Sequence, residues 1–160
     1  MEPVLPTSPH FVPPERRVNG FVGQYEHQMD QKGRVSLPSA FRREADGDRF
    51  VLMQWEPRYL TLFPEAKWQD VQQKLLEFRR SEPAAWNQVR MIIGQAVEVS
   101  PDKQGRILVP ASLQAAADLS GAVLLIGNLD RVELWDPATY GEVVKEQAGE
   151  IQQFAHKLFG

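Results

Sequence analysis

The chain contains no cysteine, so disulfides, thiolate nucleophiles and thiolate metal ligands are excluded. Histidine is scarce: His10, His27 and His156 have no partner at ligand or catalytic spacing, and a lone histidine is usually packed or solvated. Glycine-rich phosphate fingerprints are missing as well. No apolar run approaches the roughly 18 residues that suggest a membrane span, and Met1 to Pro14 lack the basic and apolar regions of a secretory signal. Basic charge is short too, with 18 Lys and Arg against 21 Asp and Glu, which argues against a uniformly basic nucleic-acid binder. These absences lead us to expect a cytoplasmic, non-enzymatic protein with no catalytic residues, no metal, no cofactor and no evident small-molecule ligand.

What the sequence does contain, it contains twice. Asp30-Gln31-Lys32-Gly33-Arg34-Val35-Ser36-Leu37-Pro38 returns 72 residues later, from Asp30 to Asp102, as Asp102-Lys103-Gln104-Gly105-Arg106-Ile107-Leu108-Val109-Pro110. The register continues without insertion: Phe41 meets Leu113, Leu52 meets Leu124, Leu62 meets Leu134, Phe63 meets Trp135 and Trp68 meets Tyr140. The chain is therefore two copies of one unit. We expect a Pro-rich disordered tail over 1–20, a first unit over 21–92 and a second over 93–160.

Within each unit, strand-like segments precede helix-like ones. Phe21 to Tyr25 and Val35 to Leu37 alternate with the period of half-buried strands, Pro38 opens a short helical turn, and Phe50 to Met53 and Tyr59 to Phe63 follow as strands. The second unit repeats the order at Val97 to Val99, Ile107 to Val109, Val123 to Ile126 and Val132 to Trp135. A helix after Pro64 carries Trp68, Val71, Leu75, Leu76 and Phe78, and a shorter one restarts at Ser81-Glu82-Pro83. After Pro137 a single stripe from Tyr140 to Leu158 runs to the C-terminus. Both helical regions are expected to bury those stripes, taking the tryptophans Trp68, Trp86 and Trp135 into the core.

The repeated turn has parts that folding explains and one that it does not. Gly33 and Gly105 supply the positive φ of a tight connection, while Asp30 and Asp102 can accept backbone N–H groups two or more residues on. A hairpin turn with an exposed arginine would account for one copy. Turn geometry, however, does not demand arginine after the glycine both times, at Arg34 and Arg106. Two guanidinium forks at a fixed separation suit phosphates and guanine edges; the plainer reading pairs each with an acid from the other copy. Between Asp30 and Arg43, Lys32, Arg34, Arg42 and Arg43 face the single acid Asp30, so the first copy is locally basic.

The doubled motif, with Phe21-Val22-Gly23-Gln24-Tyr25-Glu26-His27 before it and Phe41-Arg42 after it, resembles the MraZ family of bacterial regulators from the division and cell-wall gene cluster. The resemblance runs from about Phe21 into the C-terminal helix. It implies an α+β fold of two tandem SpoVT-AbrB-like swapped-hairpin β units, closed into a small pseudo-two-fold barrel flanked by helices. It further implies a ring-shaped homo-oligomer, nucleoid-associated in the cytoplasm, that binds double-stranded DNA at repeated promoter boxes and represses its own operon. Carried over by position, the DNA-facing residues are Lys32, Arg34, Arg42 and Arg106. Gln114 stands where the second copy often has arginine, matching Arg42, so the second half is expected to grip DNA less strongly. The alternative is a non-enzymatic ring scaffold whose turns bind an acidic protein partner. Basic residues on a common face favour DNA; a scaffold would put exposed apolar area there.

Overall fold

Eight strands and six helices alternate along the computed structural model, which describes residues 20–160. The tail assigned to 1–20 lies, Gly20 aside, outside the described residues. In the first unit β1 (Gln24–Gln28), β2 (Arg34–Ser36), α1 (Ser39–Glu44), β3 (Phe50–Glu56) and β4 (Tyr59–Pro64) lead to α2 (Glu65–Ser81), a single 3₁₀ turn at Pro83–Ala85 and α3 (Trp86–Gln95). The second unit has β5 (Val97–Val99), β6 (Arg106–Leu108), α4 (Ala111–Ala116), β7 (Ala122–Gly127), β8 (Val132–Trp135), α5 (Pro137–Gln147) and α6 (Ile151–Phe159).

The strands form a six-stranded antiparallel sheet in the order β1-β7-β8-β4-β3-β5 and a two-stranded ladder of β2 with β6, an α+β arrangement. Four of the six strand pairings cross between the units, while β3–β4 and β7–β8 each stay within one. β1 of the first lies on β7 of the second, and β5 of the second lies on β3 of the first. Two further pairings join equivalents directly, Thr61 opposite Glu133 and Val35 opposite Ile107, each pair separated by the 72-residue register. A pseudo-two-fold axis must pass through both pairs. Neither unit can complete its sheet alone, because the neighbours of β1 and β5 come from the other half.

The main core lies along this axis. Val35, Leu37, Phe41, Leu60 and Leu62 pack with their second-unit counterparts Ile107, Val109, Leu113, Val132 and Leu134 in one cluster that spans both units. Thr61 and Glu133 are the buried polar members of the sheet, and Glu133 accepts hydrogen bonds from Trp135 Nε1 (2.9 Å) and Asn128 Nδ2 (3.1 Å). A smaller cluster of Met53, Phe63 and Val71 lies beneath α2 and α3, with Trp68, Leu75 and Ile92 against it.

The first strand departs from expectation. Phe21 makes an isolated bridge with Leu129, and Gly23 at φ +90° turns the backbone before the ladder begins at Gln24. The C-terminal stripe also departs from it: the helix breaks over 148–150, and neither α5 nor α6 buries a residue. Trp135 is buried and Trp68 partly so, whereas Trp86 and Trp55 are exposed, Trp86 lying under the Arg79 guanidinium at 4.1 Å.

Asp130, in the β7–β8 connection, ties that connection to α2. It accepts from Arg131 Nε at 2.7 Å and sits 3.1 Å from Lys67 Nζ, and these partners, Arg131 first, hold its carboxyl down to about 2. A carboxyl held below its unfolded value stabilises the fold above about pH 4, and that contribution disappears as pH falls through about 2. Since the side chain is 45% exposed, solvent screening limits the effect to about 1 kcal/mol. Asp130→Asn should therefore lower denaturant stability at pH 7 and flatten its decline between about pH 4 and 2. Parallel acid limbs for the two proteins would show that the pair does not contribute.

Candidate nucleic-acid interface

Each repeated turn is built by its own aspartate. Asp30 Oδ1 accepts the backbone N–H of Lys32 (3.0 Å) and Arg34 (2.8 Å), and Gly33 N–H donates to the Asp30 carbonyl at 3.0 Å. Asp102 Oδ1 does the same for Gln104 (2.8 Å) and Arg106 (3.0 Å), with Gly105 N–H on the Asp102 carbonyl at 2.9 Å. The Arg34 backbone N–H is the main reason the Asp30 carboxyl lies below its usual range, and the Arg106 N–H has that effect on Asp102. Both aspartates are therefore anions at neutral pH.

The arginines also have a place in these turns. Arg34 Nε donates to Asp30 Oδ2 at 2.7 Å and Arg106 Nε to Asp102 Oδ2 at 3.1 Å. Arg106 Nη1 additionally approaches Asp30 Oδ2 at 3.7 Å, the cross-copy contact that the plainer reading anticipates. Yet in both arginines only Nε makes a hydrogen bond among the described residues. The aspartate of each turn fixes the fork through Nε, and beyond it the terminal nitrogens make only the 3.7 Å ion pair of Arg106 with Asp30 among the described residues.

The two turns interlock across the axis. Leu37 N–H donates to the Gly105 carbonyl and Val109 N–H to the Gly33 carbonyl, each at 2.8 Å. Arg42, from α1, donates Nε to the Leu37 carbonyl (3.1 Å) and lays its guanidinium against Gly105. Gln114, from α4, donates Nε2 to the Val109 carbonyl (2.8 Å) and lies against Gly33 in the same way. Gln114 thus reproduces the backbone contact of Arg42, but without a guanidinium to extend beyond it.

The structure accordingly places Arg34, Arg42 and Arg106 in one cluster at the paired turns, with Lys32 exposed in the first turn. Position-by-position comparison of the two copies overlooks Lys103. It is exposed in the second turn, one place earlier than Lys32 in the first, so strict register sets it against Gln31 and hides that each turn carries one lysine. Counting signs around the turns finds it. No cluster of three or more His, Asp or Glu suited to a metal occurs among the described residues, and none of the described helices is long and apolar enough to cross a membrane.

The chain is thus an internally duplicated α+β protein whose equivalent turns meet in one basic cluster. The family model described as "MraZ protein, putative antitoxin-like" matches residues 21–91 and again residues 92–158. The chain is a member of the MraZ family.

Proposed function

We propose that the chain is a sequence-specific DNA-binding repressor that acts through its interlocked D-x-x-G-R turns. The observation that carries this reading is the division of labour within each arginine: Nε donates to the aspartate of its own turn, and the terminal nitrogens make no hydrogen bond among the described residues, Arg106 Nη1 coming no closer than 3.7 Å to Asp30. A fork oriented in this way is preorganised to meet phosphate or a guanine edge. In this reading Lys32, Arg34, Arg42 and Arg106 contact DNA, Asp30, Gly33, Asp102 and Gly105 form the turns, and the units divide between α3 and β5, a few residues past the expected 92 and 93 that fall inside α3. The crossed pairing of β1 and β5 supports two exchanged hairpin units closing around a small barrel.

Exposed apolar side chains concentrate elsewhere, on α3, α5 and α6, with Leu108 an exception beside the turns. That distribution favours DNA over an acidic protein partner at the turns. Four cationic contacts per chain give a salt slope of only about −4. A ring of linked subunits on repeated promoter boxes compensates by avidity, which can contribute on the order of 100-fold or more.

Titration of the full chain with duplex DNA from upstream of its own gene, across a salt series and against scrambled duplex, tests the proposal. Tighter binding to the native duplex is expected, retained as salt rises. Equal affinity for the two duplexes would overturn sequence-specific regulation.

A further inference from the structure

The β2–β6 ladder turns Val35 and Ile107 inward, both fully buried. Alternation along each strand then puts Arg34, Ser36, Arg106 and Leu108 together on the outward face. Arg34 lies directly opposite Leu108, and Ser36 directly opposite Arg106. Side chains so paired stand about 5 Å apart at Cβ, so Leu108 and Arg34 share one patch of surface.

The pseudo-two-fold exchanges Arg34 with Arg106 and Ser36 with Leu108, each pair lying 72 residues apart. A position that takes serine in one copy does not need leucine in the other for the ladder to form. Leu108 is moreover 53% exposed, although Ile107 and Val109 on either side of it are buried. A lone exposed leucine on an ordinary surface calls for no explanation. This one stands beside the cluster of Arg34, Arg42 and Arg106, where every other outward side chain of the ladder is polar.

The chemistry of a duplex supplies what would cover it. The major groove admits a two-stranded ladder, and its base edges present donors, acceptors and one apolar group, the C5 methyl of thymine. The minor groove presents no methyl. We propose that Leu108 is a specificity-determining residue that packs against thymine methyl groups in the bound site. The inference rests on the DNA reading of the turns and deepens it: the arginine forks meet phosphates and guanine edges, and Leu108 adds a preference for thymine that Ser36 does not supply in the other copy. Because leucine carries no charge, this preference adds nothing to the salt slope.

The test compares the native upstream duplex with the same duplex carrying uracil for thymine, which removes the methyl and keeps the base pairing. The full chain is used as wild type, Leu108→Ser and Leu108→Ala, with circular dichroism to establish folding and light scattering to follow mass. Wild type is expected to bind the thymine duplex more tightly, by about fourfold for each methyl contacted. Leu108→Ser, which places in the second copy the residue already present in the first, should bind the two duplexes alike with the wild-type salt slope, and Leu108→Ala should lose most of the difference. Equal wild-type affinity for the thymine and uracil duplexes, both still preferred to scrambled DNA, would overturn the contact and leave the DNA reading standing. Methyl dependence that survives undiminished in both variants would assign it to another residue and overturn the role of Leu108. Unfolding of both variants, or a fall in their mass, would make Leu108 a packing or subunit-contact residue and overturn the proposal. Wild type that binds native and scrambled duplex equally would overturn the DNA reading and this contact with it.

Discussion

Gly33→Ala is expected to destabilise the protein by about 3 kcal/mol, lowering its melting temperature by roughly 6–12 °C. Two costs combine at this position. The residue sits at φ +87°, where side chains are strained, and a Cβ there would lie 2.6 Å from the Val109 carbonyl oxygen. That oxygen cannot easily withdraw: it accepts Gln114 Nε2, and the same residue's N–H is bonded to the Gly33 carbonyl. Two other glycines separate the costs. Gly105→Ala shares the strain, at φ +78°, but meets the Arg42 side chain, which can move. Gly47→Ala, at φ +120°, meets nothing within 4 Å and should show strain alone, about 1 kcal/mol. The expected order of loss in thermal unfolding is therefore Gly33, then Gly105, then Gly47. Equal losses at all three would mean that the contact between the turns contributes nothing.

Arg34→Ala should weaken binding to the native duplex by about tenfold or more and reduce the salt slope by about one, with little change in folding stability. The stability is spared because the Asp30–Arg34 side chains are each 34% exposed, and pairs of that kind contribute at most about 1 kcal/mol. Asp30 also keeps both backbone donors when the side chain is cut back, so the turn persists. Arg34→Lys supplies the contrast. Lysine restores a charge but not a fork, so the slope should recover while discrimination between native and scrambled duplex does not. A variant Arg34→Ala that binds as wild type would remove Arg34 from the interface, and one that unfolds would make its role structural.

The parts of this fold that are legible in the sequence are the ones decided locally. Asp30, Gly33, Asp102 and Gly105 can be assigned because a positive φ and a carboxylate facing nearby N–H groups are properties of a few adjacent residues. Strands and helices follow from alternation and from three-and-four spacing, and the constant register reveals the duplication. The crossing of β1 onto β7 and β5 onto β3 is not readable from residues alone, since nothing local states which neighbour a strand will choose. The same holds for Arg42 and Gln114, whose partners lie across the axis. Gly149 marks the break between α5 and α6 in plain view, but the apolar stripe continues through it and masks the signal. Exposure of Trp86 escapes the sequence because aromatic residues at helical spacing usually face a core.

The axis through Thr61–Glu133 and Val35–Ile107 has one further consequence. A two-fold made from two identical chains presents the same surface in either direction and cannot distinguish one orientation along a duplex from its reverse. Here the two halves are joined in one chain and have diverged, arginine against glutamine over the facing turns at Arg42 and Gln114. If the turns grip DNA as proposed, the two orientations of the protein along a duplex are therefore not equivalent. In that respect it is an arrow, expected to favour one direction on an asymmetric site.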